Sequence, residues 1–397
     1  MKRIALIASV ALLALVGCSK KENIKPPHEL VDFTPQATVT RVWKSRVGKG
    51  AGDSGVRLRP AYADGVVYAA SPLGTIEAFD ADTGKSLWKK HSRIHGWFGW
   101  GDSKRKDALY AGGPAVNDGL LVIGTLDGHV YGLNAKDGEP RWETSLSAGI
   151  LAAPAIVGGR VVVRTNDGRV YSLNADDGKQ QWVYDQSTVP LLSLRGNGSL
   201  LVAKGVVFFG SDDGKLEAVR LDNGDKLWDL PLSNGEGRTE IDRLGDADGS
   251  VLINGNTLYA SSYHGRITAV DGPSARPLWE QKFSSYVSMA VDGNMLVAVD
   301  DASNVWAYDA GSGSDMWKQD KLDWRWLSGP AIQDGYVLVG DLKGYLHWMR
   351  AEDGKFVARA RLSHDAIRAQ PLVVGDVAYV MDVDGHIGAY KIAGGAN

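Results

Sequence analysis

A unit of about 40 to 50 residues recurs along most of the chain, and a repeat of that length restricts the fold more than any other feature of the sequence. Its clearest copy reads P-A-V-N-D-G at 114–119, L-L-V-I-G at 120–124, Asp127-Gly128, H-V-Y-G-L-N at 129–134, Asp137-Gly138 and Arg141-Trp142. The closing tryptophan returns as Trp88, Trp142, Trp182, Trp228, Trp279 and Trp317, and a seventh copy ends with Ala358 in its place. Glycines stand fourteen residues before the anchors (Gly74, Gly128, Gly168, Gly214, Gly265, Gly344), with Asn304 near the place in copy six. A second set stands four residues before them, at Gly84, Gly138, Gly178, Gly224, Gly313 and Gly354.

Each unit holds four short runs of alternating or β-branched residues, such as V-V-Y-A at 66–69 and T-I-E-A-F at 75–79. Asp-Gly and Asn-Gly pairs between the runs supply the positive φ that tight hairpins demand. Four strands joined in this way form one antiparallel sheet, which cannot bury both of its faces alone and must stack on its neighbours. A closed ring of such sheets is a β-propeller. The recurring tryptophans (Trp43, Trp88, Trp142, Trp182, Trp228, Trp279, Trp317) are read as blade-packing residues, because a large flat ring covers the most apolar area between sheets.

The chain ends decide the blade count. A last copy starts at P-L-V-V-G (371–375), passes Asp384-Gly385 to Tyr390, and stops before its tryptophan strand. The missing strand stands at the other end, as V-T-R-V-W at 39–43 with no inner strands before it. Joining the two halves closes the ring and removes the exposed edges an open array would carry. The sequence therefore predicts an all-β, eight-bladed β-propeller with four-stranded antiparallel blades over 39–392, its last blade closed by the N-terminal strand, and a short tail at 393–397.

Ahead of the repeats, Lys2 and Arg3 precede a short apolar run from Ile4 to Val16, too short to span a bilayer and patterned as a signal peptide. The L-V-G-C sequence at 15–18 resembles the bacterial lipobox, which implies removal of 1–17 and acylation of Cys18. Cys18 is the sole cysteine among 397 residues, so neither an intrachain disulfide nor a cysteine-ligated metal cluster can form. Ser19 stands where an inner-membrane retention signal would have Asp, and this likeness to sorted lipoproteins implies the periplasmic face of the outer membrane. The polar stretch at 18–38, with Pro26-Pro27, reads as a flexible tether. A formal net charge of −3, before loss of the basic leader, argues against nucleic acid as a partner.

Three connections between units, 91–113, 183–199 and 229–250, are longer than the rest, and long loops on a rigid scaffold commonly carry function. Leu192 and Leu194 beside Arg195 combine apolar anchors with a guanidinium, a composition typical of interface hot spots. Asp242, Asp246 and Asp248 supply acidic groups, and Arg195 has the option of pairing with Asp246 or Asp248 to brace the loops internally. The 91–113 connection, with Trp97, Phe98, Trp100 and K-R-K at 104–106, reads equally as a contact surface or as a lid on its own blade.

The D-A-D-T-G-K-S-L-W ending at 80–88 resembles the repeat of quinoprotein (PQQ) alcohol dehydrogenases. Joined to a lipobox and spread over 39–392, it is most similar to the BamB family, the lipoprotein subunits of the outer-membrane β-barrel assembly (BAM) machinery. V-P-L-L-S-L-R-G at 189–196 and T-E-I-D-R-L-G-D-A-D at 239–248 are similar to the loops through which that family docks. The resemblance implies a non-enzymatic scaffold that binds the POTRA region of BamA and other BAM subunits. It makes Leu192, Leu194, Arg195, Asp242, Arg243, Asp246 and Asp248 the candidate partner-binding residues, with unfolded β-barrel proteins as further candidate partners. It implies no cofactor and no metal.

Two other readings share the repeat: a quinoprotein oxidoreductase, and a propeller that holds an envelope glycan or other ligand in its channel. Quinoproteins of this type resemble one another in a vicinal cysteine pair and carboxylates around Ca²⁺, and a chain with one cysteine cannot supply the pair. G-A-G-D-S-G at 50–55 satisfies both a dinucleotide and a serine-protease pattern. Its context fits neither, because V-R-L-R-P at 56–60 reads as the first inner strand rather than as a helix. Asp246-x-Asp248 and Asp382-x-Asp384 are fragments of calcium loops without the remaining ligands.

Overall fold

The computed structural model describes residues 25–50, 55–92, 109–185, 198–232 and 249–394. These contain no helix and form eight four-stranded antiparallel sheets, each a blade of one ring. Blade 1 comprises Ala61–Ala63, Val66–Ser71, Thr75–Asp80 and Ser86–His91, and the same order repeats through blade 7, whose outer strand is Phe356–Arg361. Blade 8 takes Leu372–Val374, Val377–Met381 and His386–Gly394 from the C-terminus and its outer strand, Ala37–Arg46, from the N-terminus. That pairing runs from Ala37 opposite Gly394 to Arg46 opposite His386, with one register shift at a bulge between Arg41 and Trp43. The propeller expected from the split copy is therefore present, with the ring closed by hydrogen bonds between the two ends of the chain.

The innermost strands are only three residues long in seven of the blades, and neighbouring ones lie side by side around a central channel. One local reading is corrected here. Residues 55–60 are not a strand; the first inner strand is Ala61–Ala63, and 55–60 lead into it along the channel. Pro60 lacks the amide hydrogen that a ladder needs, which disfavours extending the strand across it.

Blade-to-blade packing follows one rule. The Nε1–H groups of Trp43, Trp88, Trp142, Trp182, Trp279 and Trp317 each donate, at 2.7–3.0 Å, to a carbonyl in the next blade: Ala81, Ala135, Ala175, Leu221, Ala310 and Ala351. Each of those rings lies on the glycine that closes the outer hairpin of that blade. A Cβ on Gly84 would stand 2.5 Å from the Trp43 ring, and one on Gly138 would stand 2.7 Å from Trp88. These glycines also hold φ of +68° and +72°, so the turn and the close approach demand glycine together. Blade 5 has no glycine there, and Ala275 adopts φ of +56° in its stead. In the inner turns, His264 and Ser303 take the left-handed position in blades 5 and 6.

The seventh unit breaks the rule by exchange. Across the outer strand pair, a tryptophan otherwise faces a small residue: Ala78 opposite Trp88, Gly132 opposite Trp142, Ala307 opposite Trp317. In blade 7 the large residue is Trp348, on the third strand, opposite Ala358 on the fourth. Trp348 is fully buried, donates to Gln333 Oε1 at 2.9 Å and packs on Tyr390 of blade 8. The exchange has a topological reason. Blade 8 is closed by a separate strand, so it has no outer hairpin and no glycine to receive an outward tryptophan. The incoming N-terminal chain occupies that place, with the Gln36 amide bonded to the Val357 carbonyl at 2.8 Å.

The residues just ahead of the ring are also seated. Leu30, Val31 and Phe33 pack against the blade 6–7 core, and Phe33 stacks on Phe356. Arg325 donates to the His28 carbonyl at 2.8 Å and Arg359 to the Val31 carbonyl at 3.0 Å. The part of the expected flexible tether that the structure describes, 25–36, is thus strapped along blade 7. Polar composition concealed three apolar side chains that find a groove only once blades 6 and 7 stand together.

Candidate functional site

The connections from each outer strand to the next blade emerge on one face of the ring, together with the inner turns. Cys18, Leu192, Leu194, Arg195, Asp242, Arg243, Asp246 and Asp248 lie outside the described residues, as do Trp97, Phe98, Trp100 and 104–106. The roots of the two loops that carry the partner-binding candidates are described. The Ser199 amide, after the first loop, donates to Ser250 Oγ, after the second, at 3.1 Å, and Ser250 is bonded in turn to Ser288 at 2.9 Å. Two loops separated by a whole blade of sequence therefore return to the ring side by side. Their other ends are fixed as well: Asp185 pairs with Arg169 at 2.9 Å, and the Leu232 amide bonds to the Gly214 carbonyl at 2.8 Å.

Between these roots lies a cross-blade ion pair, Arg164 to Asp212 at 2.5 Å, with both side chains at most 7% exposed. Glu217, beside it in blade 4, accepts a short bond from the Tyr184 hydroxyl, and burial holds its carboxyl above the usual range. These groups stiffen the blade 3–4 junction from which the first loop departs.

A second buried network sits under the connection between blades 6 and 7. Asp341 accepts from Arg325 Nη2 at 2.6 Å and from His347 Nε2 at 3.1 Å, while Arg359 Nε donates to His347 Nδ1 at 3.3 Å. Burial pushes Asp341 up, but the hydrogen bond from His347 and the charge of Arg325 outweigh it and leave the carboxyl below its usual range. Burial pushes His347 down, so the ring is neutral, accepting at Nδ1 and donating at Nε2. This network was not legible in the sequence, because four residues spread over 325–359 carry no recognisable spacing.

Among the described residues, one group of donors has metal-like geometry: Asp365, Asp382 and His386, with ligand atoms within 4.8 Å of one another. The Asp382 oxygens already accept from the Asp384 and His386 amides at 2.9 Å and from His386 Nδ1 at 3.0 Å. The D-x-D of this turn is thus accounted for as turn chemistry. For a quinone cofactor the fit fails on this chain's own residues. The described channel cavity is lined by Arg57, Arg59 and Arg368 and by no carboxylate, and no vicinal cysteines exist.

Fold and face together define a quinoprotein-type repeat propeller with loop roots and a channel mouth on one side, its described channel cavity lined by arginines and by no carboxylate. The chain belongs to the BamB family: the model described as "Outer membrane protein assembly factor BamB" matches residues 29–97, 73–319 and 304–397. It is similar to the protein of that name from Xanthomonas campestris, 46% identical over 99% of this chain and 98% of the relative. The Escherichia coli protein is 37% identical over 98% of both. Among solved structures, BamB from Moraxella catarrhalis superposes with a TM-score of 0.79 at 25% identity, covering 89% of this chain and 100% of that one. A europium-containing methanol dehydrogenase shares the fold, with a TM-score of 0.71 at 13% identity over 89% of this chain and 93% of that one.

Proposed function

We propose that this chain is a non-enzymatic scaffold of the outer-membrane β-barrel assembly complex, held at the periplasmic face of the outer membrane by acylated Cys18. The observation that carries this reading is the family match along nearly the whole chain, together with curated relatives named as outer-membrane protein assembly factors. In this reading the 183–199 and 229–250 loops grip the POTRA region of BamA, with Leu192 and Leu194 as apolar anchors. Arg195, Asp242, Arg243, Asp246 and Asp248 provide charged contacts. The convergence of the loop roots at Ser199 and Ser250 supports a single composite docking surface, since a partner reaching one loop also reaches the other.

The strapped segment bears on orientation. Lys25 sits 4.6 Å over the Trp324 ring on the connection face, and seven further residues to Cys18 span at most about 24 Å. The lipid and the docking loops then share one side of the ring. The test is recovery of BamA by the affinity-tagged full chain. Replacing Leu192, Leu194 and Arg195 together by Glu should abolish recovery while the melting temperature stays unchanged, and a folded variant that recovers BamA fully would refute the docking assignment. Replacing Cys18 by Ala should release the chain from membranes, and undiminished membrane retention would refute the anchor.

A further inference from the structure

The described lining of the channel carries arginines and no carboxylate. Its cavity, of about 220 Å³, is lined by Arg57, Arg59 and Arg368 from the connections that enter blades 1 and 8, and no Asp or Glu is among its described lining residues. Arg59 opens onto the channel and donates from Nη2 to the Pro371 carbonyl at 3.2 Å. Arg368 makes no side-chain hydrogen bond or ion pair among the described residues. Arg57 is held in place, bonded to the Tyr286 carbonyl at 3.0 Å and lying 5.4 Å over its ring. Crowding by the channel walls lowers the Arg59 pKa to about 10, although its side chain stays open to channel water.

Directly beside the arginines the channel opens into a mouth of about 520 Å³ lined by Tyr286, Val287, Trp326, Leu327, Leu342 and Ala366, with Arg57 and Arg368 shared between the two spaces. Trp326 is 50% exposed there, an unusual setting for so large an apolar ring. The backbone is strained to put it there. Trp324 and Trp326 hold φ of +58° and +50°, a left-handed conformation that bulky residues rarely adopt. Buried Arg325 between them, locked to Asp341, fixes the loop in that shape, and the Leu342 amide bonds to the Arg325 carbonyl at 3.0 Å. Strain maintained by a buried ion pair to expose an indole beside the Arg368 guanidinium fits a binding site better than it fits packing.

We propose that the channel mouth binds a carboxylate joined to an apolar group, the carboxylate directed at Arg59 and Arg368 and the apolar part against Trp326, Leu327 and Leu342. A planar carboxylate matches the guanidinium fork, and a bond formed in a confined channel is stronger than one in open water. A neutral glycan would leave the arginines uncompensated, and a bare inorganic anion would leave the apolar mouth unused. The arginines and the apolar mouth stand outside the docking loops, and of those loops only the root residues Ser199 and Ser250 line the cavity.

The probe is 4-phenylbutyrate, titrated into the purified full chain by calorimetry and by indole fluorescence, with 4-phenylbutyramide as the neutral control. The acid should saturate and bind at least about tenfold more tightly than the amide. R59Q and R368Q should each weaken the acid without changing the amide, and W326A should weaken both. A tripeptide Ala-Ala-Leu with a free carboxyl terminus, compared with its amidated form, separates the two sources of such a group. If the peptide acid displaces phenylbutyrate, the occupant is a chain terminus; if it does not, the occupant is a small organic acid. Equal binding of acid and amide, absence of saturation, or undiminished acid binding by arginine variants with unchanged melting would overturn the proposal.

Discussion

Replacing Gly84 by Ala tests the packing rule at the junction where the chain ends meet. Two penalties act on that one methyl group. A non-glycine residue at φ of +68° costs about 1–2 kcal/mol. The new Cβ would also stand 2.5–2.7 Å from three atoms of the Trp43 ring, and the ring cannot retreat while its Nε1–H is bonded to the Ala81 carbonyl at 2.8 Å. Overpacking of that kind costs about 1–3 kcal/mol, which brings the total to about 2–5 kcal/mol. Gly65 provides the control within the same blade: it holds φ of +77° with nothing within 4 Å of its Cβ, so G65A should lose only the conformational part. Urea unfolding followed by tryptophan fluorescence reads both as changes in midpoint. A double-mutant cycle isolates the steric share, because in a W43A background G84A should cost no more than G65A. Equal destabilisation by G84A and G65A in the wild-type background would refute the claim that the indole seat, rather than the turn, selects glycine at this position.

Two further outcomes follow from the buried groups. His347 binds its proton less readily folded than unfolded, so its stabilising contribution is complete above the ordinary value of 6.5 and is lost as pH falls through its lower folded value. Stability measured between pH 7 and 4.5 should fall with a slope of up to about 1.4 kcal/mol per pH unit more in wild type than in H347Q, and parallel curves would contradict a neutral buried ring. Trp348→Ala should cost about 3–5 kcal/mol, and adding Ala358→Trp should restore little of it, because blade 8 offers no glycine seat; full rescue in urea melts would show that the exchange is arbitrary.

The proposed docking residues belong to loops whose roots meet at Ser199 and Ser250. The Ser199–Ser250 bond matters here, because it makes the two loops a single mutational target. A channel ligand, should the carboxylate site be filled, would lie on the same face and within reach of whatever docks there.

Much of the architecture was legible in the sequence because a propeller blade writes its geometry locally. The Asp-Gly turns, the period of the closing tryptophans and the complementary half-units at 39–43 and 371–390 are short-range facts, and together they determined blade number, strand order and ring closure. What only the tertiary structure decided depends on surfaces that exist after closure. Ala358 looked like a degenerate anchor until Trp348 was seen opposite it, filling the seam that a hairpin-less last blade leaves open. The stretch 25–36 looked like tether until blades 6 and 7 supplied a groove for Leu30, Val31 and Phe33. Arg57, Arg59 and Arg368, more than three hundred residues apart at their extremes, carry no joint signal in the chain. They become neighbours because the ring brings its first and last connections to the same channel, whose described lining holds three arginines and no carboxylate.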